Sequence, residues 1–116
     1  KSAAWNIYDA AKSAASDEFR SVRKAAVEKF RTADFDTYLQ WLDANEIGDI
    51  DLWFKLEETP AGAEYRSTVT AALKANDQTE AAAWAVYIVT KANANAIFLQ
   101  EEATAEAAYK IADAAD

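Results

Sequence analysis

The sequence predicts an all-α fold, a compact bundle of five or six helices, on three observations. Gly occurs twice and Pro once in 116 residues, so almost nothing interrupts a helix. Ala, Glu and Lys, all good helix formers, fill long stretches of the chain. Apolar residues recur in steps of three and four, as in Phe19, Val22, Ala26 and Phe30, which places them on one face of a helix. A content of 52% apolar and 12% aromatic residues is enough to bury a core without staples, and the length suits one domain spanning 1–116.

The first helix is expected over 3–15, with Ser2 accepting a backbone N–H at its start and Trp5, Tyr8, Ala11 and Ala15 along one side. Ser16, Asp17 and Glu18 suit a restart, because a capping hydroxyl and carboxylates favour the positive end of a helix, although a continuous helix fits as well. From Phe19 to Ala33 a single apolar stripe predicts a helix packed on the core. Asp34 or Thr32 can cap the next, in which Phe35, Tyr38, Leu39 and Leu42 share a face with Trp41 at its flank. Gly48 supplies the positive φ of a helix stop, and Asp49 can cap a short helix over 50–58.

Thr59-Pro60-Ala61-Gly62 reads as a turn into a helix over 61–75, with Pro near the first position, where its missing N–H costs nothing. Asn76-Asp77-Gln78-Thr79 is expected to break that helix. An Ala-rich helix follows, with Trp84, Tyr87, Ile88, Asn95, Phe98 and Leu99 on one side and Val86 and Ile97 opposite. Lys91-Ala-Asn-Ala-Asn95 offers a second interruption, since Asn competes for backbone bonds, and 101–115 closes the chain as a weak, acidic helix.

Most catalytic chemistry is excluded by composition. There is no Cys for a thiolate and no His for a base or a metal ligand. The stretch Asp43 to Phe54 has Asp43, Asn45 and Gly48 at the first, third and sixth positions of a calcium loop, but Ile47 and Phe54 stand where oxygen ligands are required. The acidic pairs Asp34/Asp36, Asp49/Asp51, Glu57/Glu58 and Glu101/Glu102 are explained by solvated faces and helix starts. No enzyme activity, cofactor or metal is expected. A net charge of −8 disfavours nucleic acid and anionic membranes, and no apolar run approaches a membrane span, which leaves a protein as the expected partner. The chain opens at Lys1 without an initiating Met, as a mature or trimmed fragment would.

Trp41-Leu42, the turn at Gly48-Asp49, Ile50, Phe54-Lys55-Leu56, Pro60 and Tyr65 together resemble the WY-type module of oomycete RxLR effectors over residues 33–73. In that family a Trp-bearing helix leads through a turn to a short Leu-containing helix, and a Tyr-bearing helix packs back on the Trp. The resemblance implies core roles for Trp41, Leu42, Phe54, Leu56 and Tyr65, with Trp41 touching Tyr65. Val69 stands where a second Tyr is often seen, and Gln78 to Tyr109 is similar to the extra helices that follow such modules.

What the resemblance implies for function is a secreted pathogen protein that acts inside plant cells by binding a host protein and blunting immunity. Its anchors are expected at Leu52, Trp53 and Leu56, which cannot all face one core, and at Val86 and Ile97. Two alternatives share those residues. One is a self-associating structural module that forms a homodimer or stacks neighbouring repeats. The other is a carrier of a small apolar ligand held among Trp53, Trp84 and Tyr87.

Overall fold

Both glycines and the proline fall between residues 48 and 62, and all but one of the chain's changes of direction occur there. In the computed structural model, which describes residues 2–115, the chain forms four helices: α1 (Ala3–Ala33), α2 (Phe35–Ile47), α3 (Ile50–Leu56) and α4 (Pro60–Ala115). α1 and α4 lie side by side and antiparallel, as the ion pairs Lys12–Glu80 and Lys29–Glu64 and the Trp5–Tyr87 ring contact establish. α2 and α3 make an elbow where the pair is joined.

The all-α expectation stands, but the compact bundle of five or six helices does not. The molecule is a rod of 89 × 23 × 19 Å with a radius of gyration of 25.8 Å. Its long dimension is α4 itself, whose 56 residues span about 84 Å at 1.5 Å each. The restart at Ser16 and the breaks at 76–79 and 91–95 do not form. A Ser or Asn side chain can compete for one backbone bond, whereas leaving the helix forfeits several, and no Gly or Pro in those segments supplies a turn. A chain without turns cannot fold back on itself.

Several helix ends carry the cap chemistry expected from the sequence. Ser2 Oγ accepts from Trp5 N at 3.1 Å, Asp49 Oδ1 from Leu52 N at 3.1 Å, and Thr59 Oγ1 from Gly62 N at 3.3 Å. Gly48 ends α2 with φ 76°, the left-handed value that favours glycine. α3 ends at Leu56, two residues earlier than expected, because Glu57 to Thr59 turn the chain into α4.

Asp34 joins α1 to α2. Its carboxylate accepts from Thr37 Oγ1 at 2.6 Å and Thr37 N at 3.1 Å. The hydroxyl bond first and the backbone bond second hold its pKa below the ordinary value of 3.8. A depressed folded pKa contributes stability that is present above the unfolded value and lost as pH falls through the folded one. Denaturant midpoints measured from pH 5 down to pH 2 should therefore fall less for Asp34→Asn than for the wild type. Equal slopes would deny the cap that role.

The α1–α4 contact has a regular register. Half-buried and buried positions follow steps of four, four and three on both helices, at Tyr8, Ala11, Ala15, Phe19, Val22, Ala26 and Phe30 on α1 and at Ala61, Tyr65, Val69, Ala72, Asn76, Glu80, Ala83 and Tyr87 on α4. That period is close to the helix's own 3.6, so the two run nearly straight. In its middle Phe19 lies near Ala72, and at its two ends aromatic rings meet rings, Phe30 with Tyr65 and Tyr8 with Trp84 and Tyr87. Past Tyr87 every described residue of α4 is exposed, and Ala3, the first residue of α1, lies level with Ile88.

Candidate functional site

The elbow carries the chain's main concentration of buried aromatic surface. Phe30 of α1, Trp41 and Ala44 of α2 and Leu56 at the end of α3 form its core, with Tyr38, Trp53, Ala61 and Tyr65 packed around them. The Trp41 ring lies 5.0 Å from that of Tyr65 in an edge-to-face contact and 6.0 Å from Trp53 in a stack. Contacts of this kind add to the area they bury. A second cluster of Trp5, Tyr8, Trp84 and Tyr87 closes the other end of the α1–α4 pair.

Glu57 is the one buried acid among the described residues, 4% exposed, where the sequence suggested a solvated or helix-start charge. Trp41 Nε1 donates to its Oε2 at 3.1 Å, so the carboxylate is partnered and acts as a latch between α2 and the α3–α4 turn. Burial first, and the nearby Glu57 charge second, push the Tyr65 phenol up from its ordinary value, while Arg23 opposes them. The neighbourhood is aromatic and aliphatic, and no group of three or more metal-ligating side chains occurs among the described residues. The only signal for Glu57 in the sequence is its place between a short apolar helix and Pro60.

Not every expected core residue is inside. Trp41 and Leu56 are buried and Tyr65 is half-buried, but Leu42 and Phe54 are exposed. α2 is apolar on most of its circumference, so either of two faces could have packed inward. The Trp41–Ala44 face wins, because a small Ala lets the indole approach Phe30, and the stripe Phe35, Leu39 and Leu42 is turned out to solvent. Phe54 is instead placed against the Arg66 guanidinium, 5.8 Å from its ring centre.

The expected partner-binding set is not one surface. Leu56 belongs to the core, Leu52 is exposed and Trp53 half-buried on α3, and Val86 and Ile97 are exposed far along α4. From the start of α4 to Ile97 is about 55 Å of helix, so no single contact spans them. Trp53, Trp84 and Tyr87 line no common cavity either, since Trp84 and Tyr87 stack on α1 at the end remote from the elbow. What the elbow does offer is a shallow groove of about 290 Å³ between α2 and α3, lined by Ala44, Gly48, Ile50, Trp53 and Phe54. With the stripe Phe35–Leu39–Leu42, it gives the elbow an apolar exterior on a closed aromatic interior. No helix among the described residues is long and apolar enough to cross a membrane. Compared with known protein families, with characterised proteins and with solved structures, the chain matches none of them.

Proposed function

We propose that the protein is a non-enzymatic protein-binding module, and that the elbow is its reading head. The observation that carries this is the stripe Phe35, Leu39 and Leu42, spaced at i, i+4 and i+7 on the outside of α2, the first of them 55% exposed. Three large apolar side chains in line on a helix held rigid by the Trp41 cluster present a low-entropy surface for another helix or groove. Leu39 and Leu42 lie where a partner would desolvate them at the centre of the patch.

The resemblance of residues 33–73 to the WY-type module supplies the biological setting of this proposal: a secreted effector that enters plant cells, binds a host protein and suppresses immunity. Transient expression in leaf tissue, followed by the elicitor-triggered oxidative burst, tests it. Wild-type protein should reduce the burst, and the Leu39→Glu/Leu42→Glu variant should not, while keeping its helical circular dichroism, since both positions are on the surface. An undiminished burst with wild-type protein refutes the effector role. Equal suppression by the variant refutes the stripe as the binding surface.

A further inference from the structure

We propose that the segment docked on the elbow is a basic amphipathic helix of the partner, with Lys or Arg beside its apolar face. This rests on the reading of the elbow as a protein-binding surface and adds the chemistry of what it binds. Residues 34–58 carry eight of the chain's twenty acids and one of its twelve bases, Lys55. A charge of −7 out of the chain's −8 therefore sits in 25 of its 116 residues.

These acids lie against the apolar stripe. The neighbours of Leu39 on the surface of α2, three and four positions away, are Phe35, Asp36, Leu42 and Asp43. Glu46 stands one turn beyond Leu42 in the same line. All three acids are exposed, and none of them forms an ion pair with a described Lys or Arg. Asp49 and Asp51 stand on either side of Ile50, which lines the neighbouring groove.

Local structure accounts for only some of these charges. Asp36 and Asp51 lie in the first turns of α2 and α3, where the positive end of a helix favours a carboxylate, and Asp49 caps α3 through Leu52 N. Glu46 lies in the last turn of α2 and Asp43 just before it. That turn holds no basic residue, and the negative end of the helix opposes a carboxylate there. Both acids are unfavourable to their own helix and sit next to its exposed apolar side chains. Cations on a partner would relieve them.

The form of the occupant follows from the stripe, which runs along about 10 Å of α2 with the groove at its C-terminal end. A strip of that shape is matched by one face of another helix, and charges beside it set the choice of partner. A second copy of the chain does not supply this. Its richest basic run, Arg20 to Arg31, is on α1, whose apolar face is packed on α4.

The test uses the whole protein and three capped peptides of about 18 residues, long enough to form a helix. The first repeats Leu at i, i+3, i+4 and i+7 with Lys elsewhere, the second has Glu for every Lys, and the third scrambles the first to remove its apolar face. In titration calorimetry at low salt, the Lys peptide should bind at least about tenfold more tightly than either of the others. Asp36→Asn/Asp43→Asn/Glu46→Gln should weaken that binding by about tenfold, and by less at high salt. Glu101→Gln/Glu102→Gln/Asp113→Asn, the same change of charge at the far end of α4, should leave it unaltered. No binding of the Lys peptide, equal binding of the scramble, or equal losses from the two triple variants overturns the proposal. So does self-association of the protein alone that the elbow variant abolishes, since a second copy then holds the stripe. Leu39→Gln/Leu42→Gln removes the apolar contact without changing the charge and separates the two readings. If the Glu peptide binds and this variant abolishes it, the basic partner is refuted and the elbow remains a binding surface. If the variant still binds the Lys peptide fully, the elbow stripe itself is refuted.

Discussion

Replacing Trp41 with Ala is expected to lower the unfolding free energy by about 3–5 kcal/mol, the range for deleting a buried large aromatic side chain. Trp41 is 9% exposed and its ring contacts Phe30, Tyr38, Trp53 and Tyr65, so no neighbour is free to collapse into the space without breaking another contact. The substitution also strips buried Glu57 of the indole N–H that it accepts from, leaving a carboxylate facing a cavity. Both effects act on the joint that holds α2 to α1 and α4. The loss is large against the whole stability of a domain of this size, about 5–15 kcal/mol. Trp84→Ala at the far end should cost less, because that ring is 44% exposed before it is removed. Chemical denaturation of the two variants side by side makes the comparison, and equal midpoints would mean that the elbow does not hold the fold together.

Gly62→Ala is expected to destabilise the protein although it lies in a helix, where Ala is ordinarily favoured by about 1 kcal/mol. Gly62 is buried in the first turn of α4, against the end of α3. A Cβ there would run into the Leu56 carbonyl oxygen and come within 2.8 Å of Glu57 Cα, both backbone atoms. They cannot swing aside as a side-chain tip would, and the turn is already tightened by Thr59 Oγ1 donating to Leu56 O at 2.6 Å. Overpacking of this kind costs about 1–3 kcal/mol, which outweighs the gain in propensity. Gly48→Ala provides the contrast. Nothing lies near a Cβ at that position, and the penalty is conformational, about 1–2 kcal/mol for a residue with Cβ held at φ 76°. Thermal melts of both variants check the prediction, and a Gly62→Ala protein as stable as the wild type would show that α3 and α4 can separate at their joint.

The candidate site was legible in its interior and not in its exterior. The contact between Trp41 and Tyr65 was an expectation from the WY-type resemblance alone, and their rings do meet. The two faces of α2 could not be told apart. Phe35, Tyr38, Leu39 and Leu42 make the more continuous apolar stripe, and nothing local reveals that Phe30 approaches from the other side, next to Ala44. Glu57 was invisible for a related reason. A carboxylate looks the same in sequence whether water or an indole N–H satisfies it.

By itself the sequence determined that the chain is helical, several of the caps and the place where the chain turns, since those depend on neighbours within four residues: Ser2, Asp34, Asp49 and Thr59 accept their bonds locally, and Gly48 turns on its own backbone. Only the tertiary structure decided the shape. Ser16 and Asn76 could have broken their helices, but the intact α1 and α4 can be packed along one another over the length of α1, and every added residue of contact repays the weak local preference for a turn. The same pairing decided which face of α4 is covered, the one that runs from Ala61 to Tyr87.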